Sequence, residues 1–91
     1  MAALHLLSQP PGDVWARLCP RLTGGDQVLL LGEAVYGLHH PQLAQLRDTG
    51  AAIAALGPDM SARGIEAAGV AVIDYDGFVD LTAAYAHILS W

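Results

Sequence analysis

The sequence predicts an α/β protein with a four-stranded parallel sheet and helices on both faces. Short apolar segments alternate with stretches of helical spacing, which is typical of right-handed crossovers between parallel strands. The run from Val28 to Leu31 is continuously apolar, as expected for a strand covered on both faces. With 91 residues the chain has room for one domain, which we place at residues 1–91.

Turn-forming residues delimit the apolar segments that we assign as strands. Pro10 and Pro11 end the first strand, because proline cannot donate to a central ladder. The turn cluster 23–26 precedes the second strand, and the third is assigned by context because its alanines alone favour a helix. The predicted strands, with the sheet order 2-1-3-4, are Leu4–Leu7, Gln27–Leu31, Ala52–Leu56 and Val70–Ile73.

Helical segments are expected between these strands. Asp13 can cap a helix that begins near Val14 and ends near Leu18 or Cys19, because Pro20 restricts the residue before it. An irregular helical turn is expected at 32–40, followed by helices at 41–48 and 57–63 and by an amphipathic helix from 78 to 91.

Charge and hydropathy exclude several classes of function. Nine acidic and four basic residues give a net charge of −5, which opposes binding to a phosphate backbone, so we expect no direct contact with nucleic acid. The longest apolar run is far shorter than the roughly 20 residues of a membrane helix. No basic stretch precedes the apolar Leu4–Leu7, as it would in a secretory signal. We therefore expect a cytoplasmic protein without a membrane span.

The apolar content predicts association with another chain. Hydrophobic residues make up 54% of the sequence and charged residues only 14%, about half the usual share of charge. Tryptophan and tyrosine are common anchors of interfaces, so Trp91, Tyr36 and Trp15 are the candidate interface residues. Trp91 has the alternative of packing back onto the last helix. An isolated chain is expected to form a homo-oligomer.

Several blocks in fixed order resemble the TusB/DsrH family. They are Leu4-His5, residues 25–31, residues 55–64, residues 73–82 and the terminal Trp91. The resemblance implies a small flavodoxin-like, DsrE-like three-layer fold. It also implies a subunit of a TusBCD or DsrEFH complex, with TusC/TusD-like or DsrE/DsrF-like subunits as partners and two copies of each of the three subunits.

The resemblance leaves more than one function open. TusBCD passes persulfide sulfur toward 2-thiolation of the wobble uridine of certain transfer RNAs, whereas DsrEFH transfers sulfur during sulfur oxidation. The chain is then either an accessory subunit or a sulfurtransferase that carries persulfide on Cys19. A free-standing homo-oligomeric binding module of the same fold is the third reading.

Cys19 is the only candidate sulfur carrier. As the single cysteine it excludes an internal disulfide and multi-cysteine metal sites. The resemblance places it approximately where DsrH-type members carry a cysteine. A helix C-terminus lacks the positive dipole end that activates thiols, although Arg17 and Arg21 are near enough in sequence to offset this. A buried cysteine acting as a small hydrophobe is the competing reading.

The remaining polar residues predict structural roles. Sister subunits of the TusD/DsrE type, as the resemblance implies, have a nucleophilic cysteine where this chain has Asp59, which we expect to cap a helix and pair with Arg63. A ligand crevice is expected between the loops 8–12 and 57–60. We expect no metal, because His39 and His40 have no third ligand at a recognisable spacing, and no cofactor, because the glycines form no phosphate-binding loop. His5 is expected to be a hydrogen-bonded structural histidine.

Overall fold

The computed structural model describes residues 2–66 and 69–91. Within these residues a five-stranded, entirely parallel sheet has the order β4-β3-β2-β1-β5. Its strands are β1 (Leu4–Leu7), β2 (Gln27–Leu30), β3 (Ala52–Leu56), β4 (Ala71–Ile73) and β5 (Ile88–Ser90). The helices are α1 (Asp13–Leu18), a first 3-10 helix (Cys19–Arg21), a second 3-10 helix (Gly32–His39), α2 (Gln42–Asp48), α3 (Gly57–Ala62) and α4 (Tyr75–Ala84). The predicted α/β class is confirmed.

The path of the chain determines which face each helix covers. From β1 to β4 each strand is added on the same side of the one before, and then β5 is added on the far side of β1. Because crossovers between parallel strands are right-handed, connections that advance in one direction place their helices on one face, and a reversal places its helix on the other. Accordingly α1, both 3-10 helices, α2 and α3 cover one face, here called the helix-rich face. Only α4 covers the opposite face, here called the α4 face.

The larger part of the core lies under the helix-rich face. Alternate strand residues point into it because successive side chains of a strand face opposite sides of a sheet. These strand residues, buried against Trp15, Leu18, Leu46 and Met60 among others, are Leu7, Val28, Leu30 and Ala55. Gly37 of the second 3-10 helix lies directly against the Trp15 ring, so that a Cβ at this position would overlap the ring. A glycine is therefore required for the close approach of this helix.

The α4 face is covered more thinly. Its buried core consists of Leu4, Leu29 and Ala54, with Phe78, Leu81 and Tyr85 partly buried against them. No residue of α4 is itself buried. The helix begins at a well-formed cap, in which the Asp74 carboxylate accepts a hydrogen bond from the Gly77 N–H at 2.8 Å. None of the helices in the described residues is long and apolar enough to cross a bilayer.

The predicted strand order 2-1-3-4 is wrong, because β3 pairs with β2 rather than with β1. The register places Val28 beside Ile53. An apolar strand that is covered on both faces can pair with either of two apolar strands. The sequence of β3 therefore does not specify whether it lies beside β1 or beside β2. The connections from β1 to β4 instead continue in one direction, and only the last crossover reverses.

The predicted last helix is also too long. It ends at Ala84, Tyr85 is extended, and residues 88–90 form a fifth strand that was not predicted. Ile88 continues the helical spacing of the preceding apolar residues and equally suits a strand. Its conformation is determined by β1, whose free edge pairs with it: Leu4 N–H donates to the His87 carbonyl and Trp91 N–H donates to the Leu6 carbonyl.

Candidate functional site

Cys19 immediately follows α1 and opens the first 3-10 helix. Its Sγ donates to the Gln45 carbonyl oxygen of α2 at 3.4 Å, and its side chain is partly buried against the core of the helix-rich face. Because α1 starts beyond the carboxyl end of β1 and runs back, Cys19 lies toward the amino edge of the sheet. It is thus at the opposite edge from the crevices in which open α/β sheets bind ligands.

The cations expected to support a Cys19 thiolate include Arg21, which is engaged elsewhere. Its guanidinium carbon lies 5.4 Å from the centroid of the Trp91 ring, within the range of a cation–π contact. The thiol itself follows a helix C-terminus, where the dipole disfavours negative charge. The described surroundings of Cys19 resemble those of a packed cysteine more than those of an activated nucleophile.

Asp59 does not cap its helix, and the predicted side-chain pair with Arg63 is not formed. α3 already begins at Gly57, and the Asp59 carboxylate accepts a hydrogen bond from the Gly32 N–H at 2.7 Å. Arg63 donates instead to the Asp59 backbone carbonyl and forms an exposed ion pair with Glu33 at 3.5 Å. The carboxylate therefore ties the start of the second 3-10 helix, which follows β2, to the helix after β3.

The predicted crevice between the loops after β1 and β3 is not formed as such, because β2 lies between these strands. The order of strands reverses at β1, so the switch point falls between β1 and β5. There Ser8 donates to the Trp91 backbone oxygen with both its N–H, at 3.1 Å, and its hydroxyl, at 3.0 Å. These two bonds continue the pairing of β1 with β5 beyond the carboxyl ends of the strands.

A buried polar cluster of His5, Asp26 and Trp91 lies beneath the helix-rich face. His5 and Asp26 are each 4% exposed. Trp91 Nε1 donates to His5 Nδ1 at 3.1 Å, and His5 Nε2 lies 3.4 Å from Asp26 Oδ2. An indole N–H only donates, so Nδ1 must accept, and a neutral His5 carries its proton on Nε2, where it faces the carboxylate. The expectation of a hydrogen-bonded structural histidine agrees with this geometry.

Asp26 is held in its charged form. Burial disfavours the carboxylate and raises its pKa. The hydrogen bonds from the Ala3 and Thr23 N–H groups, at 2.9 and 3.1 Å, together with the contact with His5, outweigh burial and lower the pKa of Asp26 below its ordinary value of 3.8. Asp26 thus fixes the start of β1 and the turn before β2. Both ring nitrogens of His5 are occupied, so the pair is not arranged for acid–base catalysis.

The three candidate interface aromatics occupy different environments. Trp15 is 1% exposed, and its Nε1 donates to the Gln9 carbonyl at 2.8 Å, so its ring belongs to the core of the isolated chain. Tyr36 is 49% exposed on the second 3-10 helix and is accessible to another protein. Trp91 is partly buried between His5 and Arg21. It packs onto the helix-rich face rather than onto the last helix.

Among the described residues, the histidines and the pocket beside β3 and β4 add no further site of chemistry. No group of three metal-ligating side chains comes together in residues 2–66 and 69–91. His40 Nδ1 accepts from the Gln42 N–H at 3.1 Å and so caps the start of α2. A shallow pocket of about 270 Å³ opens beside β3 and β4, and its described lining has no nucleophile, histidine or carboxylate; the lining residues are Arg47, Ala51, Ile53, Gly69, Val70 and Ala71.

The comparison with known families agrees with the fold and its motifs. Residues 13–88 match the family described as DsrH like protein. The chain belongs to the DsrH-like family. No curated protein sequence matches it. Membership supports a role for this DsrH-like chain as a sulfur relay subunit that works with other relay subunits. The resemblance to TusB and DsrH proteins is thereby confirmed.

Sequence reasoning missed the polar cluster as a unit in this DsrH-like chain. Its members are far apart in sequence: Trp91 is 86 positions after His5, and Asp26 is 21 positions after it. Each residue stands in a block that carries the family resemblance. The cluster could have been suspected from the sequence, because these polar and aromatic residues all stand in blocks that are otherwise apolar and form strands.

Proposed function

We propose that the chain is an accessory subunit of a cytoplasmic sulfur relay complex of the TusBCD type, which supports persulfide transfer toward 2-thiolation of the transfer RNA wobble uridine. The match of residues 13–88 to the DsrH-like family is the observation that carries this proposal. Its partners are homologous TusC/TusD-like subunits. The acidic net charge of −5 agrees with contact to proteins rather than to the transfer RNA itself.

The accessory role is supported by the surroundings of the thiol. Cys19 follows a helix C-terminus at the amino edge of the sheet, and its Sγ is engaged with the Gln45 carbonyl. The position expected for a catalytic cysteine in the sister subunits is Asp59, whose carboxylate is bound to the Gly32 N–H. Neither position offers a thiolate at the edge where sheets of this type bind their substrates.

A DsrH-like subunit of a DsrEFH complex in sulfur oxidation, with Cys19 as carrier, is the second candidate. One observation favours it: the Cys19 side chain is not fully buried. A persulfide on its Sγ would therefore have a route to a partner once the contact with Gln45 is released. In that assembly the partners are DsrE/DsrF-like subunits.

Reconstitution with purified homologous subunits tests both candidates. The readouts are 2-thiouridine in transfer RNA by mass spectrometry and the mass of Cys19 after exposure to a persulfide donor. For the accessory role we expect Cys19→Ser to assemble and to support thiolation at the parent rate, as does the matched control Ala16→Ser on the exposed side of α1. A complex that assembles with Cys19→Ser but delivers no sulfur would establish the carrier role. A wild-type chain that assembles with no relay subunit would refute the proposed function.

A further inference from the structure

The two faces of the sheet differ greatly in how well they are covered. On the helix-rich face, α1, α2, α3 and the 3-10 helices all contribute buried or partly buried residues. On the α4 face a single ten-residue helix covers the sheet, and none of its residues is buried. Three large apolar side chains are exposed there, and two of them are the most exposed of their kind in the described residues: Val79 is 64% exposed, Tyr75 59% and Ile88 43%. Tyr36, Val72 and Leu89 are exposed toward the helix-rich face, at 41–49%. Large exposed apolar side chains that lie on one side of a small protein are typical of a site of interaction.

These three side chains share one side of the sheet, and we call them the α4 patch. Tyr75 and Val79 are four residues apart on α4 and therefore form one stripe of the helix. That stripe is distinct from Phe78 and Leu81, the α4 residues that pack on the sheet together with Tyr85, which follows the helix. Ile88 is in register with Leu4, whose side chain lies in the α4-face core, so Ile88 points to the same side. β5 is the last strand at its edge of the described sheet.

Charge is distributed unevenly between the two faces. The chain contains four basic side chains, all of them arginine, at positions 17, 21, 47 and 63. All four belong to elements of the helix-rich face or directly follow one. The helix α4 and its cap have carboxylates only, at Asp74, Asp76 and Asp80. The apolar α4 patch is thus accompanied by negative charge without a neighbouring lysine or arginine.

We infer that the α4 patch docks a different protein chain, a homologous relay subunit whose matching surface is apolar and bordered by lysine or arginine. This inference rests on the proposed function, which supplies the existence of such partners. A two-fold contact between two copies through this patch would bring the same carboxylates together, because an isologous interface repeats each residue on both sides. Like charges set against each other at an interface are unfavourable and select against the wrong partner. A basic-bordered partner instead gains from Asp76 and Asp80.

The test uses the complex reconstituted from the full chain and its purified relay subunits, with binding measured by interferometry. Val79→Asp places a charge within the patch, and Ala44→Asp places the same charge on the exposed side of α2. We expect Val79→Asp to weaken association about tenfold or more, and Ala44→Asp to leave it within about twofold. Circular dichroism should show both variants folded, because both positions are exposed.

Two further arms identify the occupant and the role of charge. A photoreactive phenylalanine analogue at Val79 in the assembled complex should crosslink to a chain other than this one. Replacing both Asp76 and Asp80 with asparagine should slow association and reduce its dependence on salt concentration. A crosslink to a second copy of this chain would overturn the inference. So would equal affinities of Val79→Asp and the wild type in a complex that assembles, an outcome that leaves the proposed function standing.

Discussion

Replacing Asp26 with alanine tests whether the buried polar cluster holds the amino edge of the sheet together. The carboxylate accepts from Ala3 N–H at 2.9 Å and from Thr23 N–H at 3.1 Å, and it faces His5 Nε2 at 3.4 Å. A hydrogen bond to a charged group contributes about 1.5–3 kcal/mol. Two such bonds are lost, and the donors regain only part of their hydration, so we expect a loss of about 3–5 kcal/mol in the free energy of unfolding. This is a large share of the roughly 5–14 kcal/mol expected for a chain of this length.

Urea unfolding followed by far-ultraviolet circular dichroism measures this loss, provided that the slope of the free energy against urea stays unchanged. Asp26→Asn should fall between the wild type and Asp26→Ala. Its amide oxygen replaces one acceptor, but its amide N–H₂ opposes donors, and His5 cannot change tautomer without losing the Trp91 bond. Asp48→Ala, at an exposed position of α2, should change stability by less than about 0.5 kcal/mol. An Asp26→Ala protein within about 1 kcal/mol of the wild type would show that the cluster is not a stabilising unit.

Other perturbations follow from the same structure. The pKa of Asp26 is lower in the folded chain than its ordinary value of 3.8. Its contribution to the free energy of unfolding is therefore present above that pH and is lost as the pH falls through the folded pKa. Urea midpoints between pH 7 and pH 3 should decline more steeply for the wild type than for Asp26→Ala. Gly37→Ala should cost about 1–3 kcal/mol, because its Cβ would overlap the Trp15 ring; differential scanning calorimetry should show a lower Tm, and an unchanged Tm would contradict this packing. Trp91→Phe keeps an aromatic ring but removes the hydrogen bond to His5, so we expect a loss of about 1–3 kcal/mol in urea unfolding; Tyr36→Phe, which changes an exposed ring, is the matched control.

Local sequence patterns predicted most of the strands. The continuous apolar run of residues 28–31 and the prolines after β1 specify their segments without help from the rest of the chain. β3 was assigned from its position between turn residues, and the structure confirms it at Ala52–Leu56. β5 was missed because the residue types of 88–90 suit a helix or a strand equally well. Its extended conformation is determined by pairing with β1, more than 80 residues earlier in sequence.

The candidate site was likewise predictable only in part from local sequence patterns. The end of α1 near Cys19 was predicted correctly, but the expected cause was wrong: Cys19 keeps helical dihedral angles, and the chain continues through Pro20 as a 3-10 helix. The partner of Asp59 was not predictable. A capping pattern describes only neighbouring residues, whereas the Gly32 N–H that binds this carboxylate belongs to the 3-10 helix after another strand, 27 residues away in sequence. Strand order determines which loops become neighbours. The wrong predicted order therefore also made the prediction of a crevice between the loops after β1 and β3 wrong.

The sequence blocks that resemble TusB and DsrH proteins also contribute to how the sheet closes, although only Asp26 of the polar cluster lies within the family match at residues 13–88. His5 belongs to the first block, Asp26 to the second, and Trp91 stands apart from both, yet the three side chains meet in one buried cluster. With both imidazole nitrogens engaged and 4% of His5 exposed, this cluster holds β1, the start of β2 and the end of β5 together and leaves no group free for sulfur. A chain can therefore keep every one of these residues with or without a thiol at position 19. The polar cluster and sulfur carriage by Cys19 are therefore physically independent, so the exposure and chemistry of Cys19 itself must decide whether it carries sulfur.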